Sequence, residues 1–358
     1  MPQQRSSDWA GETRSLHLDV SPAKILIVKP SALGDIVHSL PFLNAVRERF
    51  PKAEIHWVVA RGLHGILEDH PMIHRLWIID KDQWKRLSRI GETFNLLRHL
   101  FSALRQERFD MVVDLQGLFR SGIISYATGA KRRIGFKEAR EGSPLFYTNR
   151  ICGGRDIHAV ERYMKIAAFL GCNTARLRFP LPPFPTRIPL MDSLPEDYIV
   201  LAPSAGTRVK RWPPERFGEL AARLPFTSVI IAGKADVPLA ERVLAASAGK
   251  AISLAGKTSM KELLAVIQKA KFVVSNDTGP MHIAAALEVP VFAIFGPTNP
   301  LRTGPYGAIH TIIREDLSCS PCYRRKECAD VQCMKNLTVE RVLGIIDERS
   351  NSKDFFRQ

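Results

Sequence analysis

The residues with the most chemistry to offer lie in the run FVVSNDTGPMHIAAA, where an apolar, β-branched stretch leads into Ser275, Asn276, Asp277, Thr278, Gly279, Pro280, Met281 and His282. That pattern predicts a buried strand, a glycine-containing turn and a helix starting near Pro280, a residue suited to the first helical turn. The free N–H groups and the dipole at such a helix start attract phosphate by about 0.3–1 kcal/mol, and by up to about 2 kcal/mol in a sheltered site. Thr278 adds a hydroxyl donor, Gly279 lets the backbone approach a ligand closely, and His282 lies one turn on, facing a diphosphate or a ribose. Taken alone, the segment fits ordinary capping by Asp277 or Thr278 equally well.

Two neighbouring runs favour phosphate binding. Phe295-Gly296-Pro297-Thr298-Asn299-Pro300 follows an apolar strand and makes a second turn of phosphate size. Leu201-Ala202-Pro203-Ser204-Ala205-Gly206-Thr207 leaves another strand into a loop of small residues, and Lys210-Arg211-Trp212-Pro213 comes next. Lys210 could neutralise the β-phosphate of a leaving nucleoside diphosphate, a role that other enzymes give to a metal; otherwise it is a solvated surface lysine. In the first half, Lys29-Pro30-Ser31-Ala32-Leu33-Gly34-Asp35 sets a carboxylate just beyond a strand. Asp35 could accept a proton from an attacking hydroxyl, and a positioned general base is worth about 10²–10⁴ in rate. Its competing role is to cap a helix beginning at Ile36.

The elements that must carry these residues alternate between strand and helix. Apolar runs at Lys24–Val28, Glu54–Val59, Leu76–Ile79 and Met111–Asp114 read as strands, with helical patterns at Ile36–Phe50 and Phe94–Arg108. In the second half the strands are Tyr198–Leu201, Ser228–Ala232, Ala251–Leu254, Phe272–Ser275 and Val291–Phe295. Helices are expected there at Pro214–Arg223, Leu239–Ala246, Met260–Ala270 and Met281–Leu287. Such βαβ alternation predicts an α/β protein made of two Rossmann-like, doubly wound domains. Between them, Phe179-Pro180-Leu181-Pro182-Pro183-Phe184-Pro185, followed by Pro189 and Pro195, reads as an extended linker. The expected division is a loosely ordered segment 1–22, a first domain 23–178, a linker 179–197 and a second domain 198–358. Two such domains describe the GT-B architecture, with substrates in the interdomain cleft, beyond the carboxyl ends of the strands.

Composition sets the outer bounds. The chain has 358 residues, 45% of them hydrophobic and 24% charged, as in a soluble globular protein. With no long apolar run and no apolar signal core at the N-terminus, it is expected in the cytoplasm. Its net charge of +15 suits an anionic partner, whether nucleic acid, an acidic membrane surface or a phosphorylated substrate, but also suits mere solubility. Cys319, Cys322, Cys328 and Cys333 read C-x2-C-x5-C-x4-C, which raises a zinc or iron–sulfur site against the alternative of reduced thiols in a loop.

The motifs KPSALGDIVHSLP, VVDLQGLFRSG, GTRVKRWP, SNDTGPMHIAAAL and FGPTNP occur in that order from Lys24 onwards. Together they resemble the ADP-heptose:lipopolysaccharide heptosyltransferases of glycosyltransferase family nine, and Met111–Gly122 with His158-Ala159-Val160-Glu161-Arg162 is more similar to heptosyltransferase I than to II. The resemblance implies an inverting transfer, independent of metal and of any cofactor, from ADP-heptose to a Kdo sugar of Kdo–lipid A. It implies Asp35 as base, with the donor held by Ser204, Thr207, Lys210, Asp277, Thr278, Gly279 and His282. The acceptor would be held by Ser31, Gly34, Arg61, Gln116 and Arg120. Where family members carry a Thr-Thr pair after the strand, this chain has Ser204-Ala205-Gly206-Thr207.

Arg61, Arg120, Lys131, Arg132, Arg133, Lys137 and Arg140 would clamp the carboxylates and phosphates of such an acceptor. Trp57, Trp77 and Trp84 could add apolar contact, with core packing the expected fate of the first two. A helix near Gln83–Arg86 would rest peripherally on the anionic inner-membrane leaflet. Asp277 is expected to orient Lys210 or cap its helix, because a second carboxylate beside a diphosphate would repel it. The alternatives are a family-nine enzyme with another sugar or acceptor, and a GT-B nucleotide-sugar epimerase. A nucleic-acid-binding role would need an RRM, zinc-finger or helix-turn-helix pattern, and the sequence has none.

Overall fold

The computed structural model describes residues 21–80, 90–323, 328 and 330–350. The chain divides into two compact units, Met1–Pro183 and Phe184–Gln358, with the break inside the proline-rich stretch. Pro189, expected in an extended linker, instead opens a 3-10 turn over Pro189–Ser193, because its fixed φ suits the first residue of a helical turn. The expected loose N-terminus, Trp84 and the helix near Gln83–Arg86 lie outside the described residues, apart from positions 21 and 22. Among the described residues no helix is long and apolar enough to cross a membrane.

The first unit contains strands β1 (Lys24–Val28), β2 (Glu54–Ala60), β3 (Arg75–Ile79), β4 (Met111–Asp114), β5 (Arg132–Phe136) and β6 (Asn149–Ile151). All pair in parallel in the order β3-β2-β1-β4-β5-β6. Helices α1 (Leu33–His38), α2 (Leu40–Arg49), α3 (Ile90–Gln106), α4 (Phe119–Ala127) and α5 (Ala159–Phe169) connect and cover them. The central strand β1 is fully buried from Ile25 to Val28, as a continuous apolar run in a parallel sheet must be. Leu26, Val28, Val58 and Val112 pack with Leu104 of α3 and Ile124 of α4 in one cluster.

The single helix expected over Ile36–Phe50 begins three residues earlier and is broken at Ser39. Pro41 has no N–H to bond the carbonyl one turn back, so the helix cannot run through. Ser39 takes up part of the slack by donating its hydroxyl to the Ile36 carbonyl at 2.7 Å.

The second unit repeats the plan with β7 (Tyr198–Ala202), β8 (Thr227–Ile230), β9 (Ala251–Ser253), β10 (Val273–Asn276), β11 (Val291–Phe295) and β12 (Thr311–Arg314). Its order is β12-β11-β10-β7-β8-β9, again all parallel. The helices are α6 (Pro214–Arg223), α7 (Val237–Ala245), α8 (Met260–Gln268), α9 (Gly279–Ala286), α10 (Pro300–Thr303), α11 (Gln332–Lys335) and α12 (Val339–Ser350). Phe217, Leu220 and Ala221 of α6, at helical spacing, are buried with Val342 and Ile346 of α12. Trp212 is fully enclosed, and its Nε1 donates to the Leu337 carbonyl at 2.8 Å, which ties the C-terminal helix to the sheet.

In each sheet the strand order reverses beside the first strand, between β1 and β4 and between β7 and β10. Connections leave such a switch point in opposite directions, so a crevice opens at the carboxyl ends of those strands, where open α/β sheets bind ligands.

Candidate functional site

In the second unit the switch point gathers the turns after β7 and β10. Asn276, fully buried at the end of β10, donates Nδ2–H to the Pro203 carbonyl at 2.7 Å and accepts the Trp212 N–H at 3.1 Å. One side chain thereby fixes the loop that contains Ser204 and Thr207 and the segment that contains Lys210. Lys210 Nζ lies 2.5 Å from Asp277 Oδ2, and the Thr298 hydroxyl donates to the same oxygen at 2.7 Å. Asp277 is buried, so its charge needs the lysine, and orienting that lysine is the role the two contacts give it. Among the described residues, two of the three N–H donors of the ammonium remain for a ligand.

Thr278 occupies the N-cap position of α9, yet its side chain makes no capping hydrogen bond. Capping is therefore not what the side chain does, and Pro280 has no N–H, so the N–H groups of Gly279, Met281 and His282 form the donor end of the helix. Ser204 Oγ and Thr207 Oγ1 are shielded from solvent with no hydrogen-bond partner among the described residues. A buried hydroxyl left unpaired costs about 1–3 kcal/mol, so two of them in the loop that leads to Lys210 call for a partner from outside the described residues. His282 is buried, close enough to His310 that its charge, after burial, helps push the His310 pKa down to about 4.

In the first unit the corresponding turns follow β1 and β4. Lys29 directly follows β1 and is almost wholly buried, with Nζ 3.6 Å from Asp35 Oδ2, 3.4 Å from the Leu115 carbonyl and 5.3 Å from the Tyr163 ring centroid. Burial alone would lower the Lys29 pKa, but the charge of Asp35, with Tyr163 and Asp114, overrides it and holds the ammonium above its ordinary value. Asp35 is not the N-cap; that position belongs to Ala32, whose N–H donates to Asp35 Oδ2 at 3.1 Å. As the third helical residue Asp35 reaches back to the cap, and among the described residues Oδ1 is left for a substrate.

Asp114 shapes the second turn. Fully buried, it accepts the N–H groups of Gln116 and Gly117 and the Tyr147 hydroxyl at 2.8, 3.0 and 2.7 Å. Burial holds its pKa above the ordinary value, against those hydrogen bonds. Gln116 is thus placed to accept the Ser31 N–H at 3.2 Å, which joins the two turns. Gly34 is buried within α1, and Arg61 follows β2, where its Nε lies 3.8 Å from Asp80. Arg120 is exposed in the first turn of α4.

The basic cluster expected around the acceptor is split by the sheet. Lys131 and Arg132 stand at the start of β5, on the edge opposite the Asp35 turn, where they line a separate cavity with Arg105 and Arg108. Arg133 is spent on the backbone, donating to the Phe146 and Ala130 carbonyls at 2.7 and 2.6 Å. Lys137 and Arg140 follow the end of β5, and the Arg140 N–H bonds the Gly117 carbonyl at 2.9 Å, on the edge that carries Gln116. Trp57 and Trp77 are buried, and their indole N–H groups bond the Lys29 carbonyl and His56 Nδ1 at 3.2 and 3.1 Å. Sequence reasoning passed over Lys29, Tyr163 and Thr298. Lys29 had a signal, a lysine directly after the apolar run Ile25–Val28 of the central strand.

Residues 97–332 match the family model described as Glycosyltransferase family 9 (heptosyltransferase). The chain is 31% identical over 324 residues to lipopolysaccharide heptosyltransferase 1 of Pseudomonas aeruginosa, which spans 84% of this chain and 86% of that protein. With the lipopolysaccharide core heptosyltransferase OpsX of Haemophilus influenzae the identity is 29% over 303 residues, 82% of this chain and 84% of the relative. Among solved structures, E. coli heptosyltransferase WaaC with ADP aligns at a TM-score of 0.74 and 27% identity, covering 91% of this chain and 99% of that one. The fold, two doubly wound domains of the GT-B type, is shared with that structure.

Proposed function

The chain belongs to glycosyltransferase family 9, and on that premise we propose that it is a heptosyltransferase of lipopolysaccharide core assembly, taking heptose from ADP-heptose and passing it to a Kdo sugar with inversion. The observation that carries the donor half is the Lys210–Asp277–Thr298 cluster, with the uncapped α9 and the hydroxyls of Ser204 and Thr207, which have no partner among the described residues. WaaC, which shares the fold, was solved with ADP, and this cluster supplies donors of the kind a diphosphate needs.

In the proposed reaction the acceptor hydroxyl attacks the anomeric carbon from the face opposite ADP. A carbon–oxygen bond to the acceptor forms, the bond to the diphosphate breaks, and Asp35 takes the hydroxyl proton. Lys210 and the α9 N–H groups receive the charge that develops on ADP, where one preorganised donor is worth about 10²–10³ in rate. Lys29 keeps Asp35 turned toward the β1 turn. Ser31, Gly34, Gln116, Arg61 and Arg120, together with Lys137 and Arg140, are the groups we assign to the anionic acceptor. An acceptor anchored by lipid A would bring the chain to the anionic cytoplasmic leaflet, which its net charge of +15 favours.

The test is mass spectrometry of the purified protein incubated with a panel of nucleotide sugars and Kdo–lipid A. The reading predicts one added heptose with ADP-heptose and release of ADP. Transfer from a different nucleotide sugar alone would move the enzyme elsewhere in its family, and isomerisation of the donor without acceptor would make it an epimerase.

A further inference from the structure

Four of the six cysteines, Cys319, Cys322, Cys328 and Cys333, line one cavity of about 170 Å³, and none forms a disulfide. They arrive on separate supports. Cys319 and Cys322 flank a turn that Ser320 and Tyr323 fasten to the β11 turn, the first by its hydroxyl on the Gly296 carbonyl at 2.7 Å and the second by its N–H on the Pro297 carbonyl at 2.8 Å. Cys333 lies buried on α11, close against Gly296, where an added Cβ would stand 3.0 Å from its sulfur and 2.5 Å from Met334 Sδ. Only glycine at 296 lets the tail sit that close. Cys328 Sγ accepts the Val331 N–H at 3.3 Å, which ties it to the segment that leads into α11.

Sulfur groups gathered from two turns around one space are the donor set that soft-ligand cations select. The sulfurs surround the space without closing on it. Among the described residues, the group of His, Cys, Asp and Glu with ligand atoms within 4.8 Å of one another is Glu54, His56 and His74. That group is a poorer site in spite of its compactness. His56 Nδ1 accepts the Trp77 N–H, so the neutral ring has its proton on Nε2, the atom facing Glu54, and Lys24 already lies 3.2 Å from Glu54. Among the described residues no cation is paired with the thiols, and Cys319 stands exposed at the rim of the cavity.

We propose that Cys319, Cys322, Cys328 and Cys333 bind one divalent, thiolate-preferring cation, zinc or iron(II), in a tetrahedral site that braces the donor pocket. The bracing follows from the other walls of the cavity, Val209 and Pro297. Val209 precedes Lys210, and Pro297 precedes Thr298, so both arms of the cluster on Asp277 stand one residue from the proposed site. Metal–sulfur bonds of about 2.3 Å would draw the four sulfurs together and fix both arms. On binding, each coordinating thiol gives up its proton to solvent, so affinity rises with pH. The role is structural and leaves the transfer chemistry itself independent of metal.

The experiment uses the full chain purified without oxygen, with metals quantified by mass spectrometry, and the apoprotein titrated with Co²⁺ as the optical probe. About one equivalent of zinc or iron per chain is expected, and Co²⁺ should give thiolate charge-transfer and tetrahedral ligand-field bands that Zn²⁺ abolishes. Cys319→Ser, at the exposed rim, should fold and lose roughly 100-fold in metal affinity. Stripping the metal should lower the melting temperature and weaken ADP binding by roughly tenfold, read by calorimetry without any acceptor or sugar. Metal well below one equivalent with four freely titrating thiols would overturn the proposal. So would a disulfide within the cluster in the native protein, or an apoprotein with unchanged melting temperature and ADP affinity. Metal content and ADP affinity are read without turnover, so a wrong assignment of the sugar leaves this test intact.

Discussion

Lys210→Met removes the cation from a carboxylate that has little else. The two side chains are 19% and 8% exposed, and the pair distance is 2.5 Å. Breaking a buried pair from one side costs about 3–5 kcal/mol, and the partial exposure of Lys210 places this one at the lower end, about 3 kcal/mol. The Thr298 hydroxyl stays on Asp277 and keeps the loss from being larger. Removing a preorganised donor at the leaving group should lower kcat by about 10²–10³ as well. Urea unfolding measures the first quantity through a lower midpoint at unchanged slope, and steady-state turnover with ADP-heptose measures the second. Asp277→Asn and the double variant complete a cycle. If Asp277 serves mainly to hold Lys210, the double variant loses much less than the sum, with a coupling of about 1–3 kcal/mol. A coupling below about 0.5 kcal/mol, with kcat of Lys210→Met within about threefold of wild type, would refute the reasoning.

Other expectations follow from single contacts. Asn276→Ala leaves the Pro203 carbonyl and the Trp212 N–H unpaired in the core, and should cost about 2–4 kcal/mol in urea unfolding. Gly135→Ala would put a methyl group 2.3 Å from the Tyr147 ring, whose hydroxyl holds Asp114. Overpacking there should lower stability by about 1–3 kcal/mol and raise the acceptor KM, since Asp114 shapes the Gln116 turn. Burial lowers the His310 pKa to about 4, so the unfolded chain takes up that proton first on acidification. Stability is then fully present above about pH 6.5 and falls between pH 6.5 and 4, and His310→Gln should flatten that part of a melting-temperature profile.

How legible these features were depended on burial. β4 and β11 are apolar or nearly so from end to end, and their expected limits match the observed ones, because a strand covered on both faces has no room for polar side chains. β5, β6 and β12 escaped notice. Each carries arginine, β6 is three residues long, and β6 and β12 are sheet edges where one side faces solvent. The same blindness misplaced Lys131 and Arg132, since a strand that is not seen cannot show that its start lies on the far edge. At the donor site, Lys210 and Asp277 could be named from motifs, with orienting the lysine or capping the helix as the two expected roles of Asp277; the choice between them spans 67 residues and depends on β7 and β10 being neighbours. Thr298 was missed for the same reason, since it reaches Asp277 only because β10 and β11 are neighbours, whereas the Lys29–Asp35 pair lies within one turn and was missed although its signal was local.

The most direct measurement compares wild type and Asp35→Asn side by side, with ADP-heptose and Kdo–lipid A, following both ADP binding and the mass of the acceptor. The account predicts a heptosylated acceptor from wild type and a drop in kcat of about 10²–10⁴ for the variant, with ADP affinity unchanged. No product from wild type, or near-equal turnover by the folded variant, would contradict it.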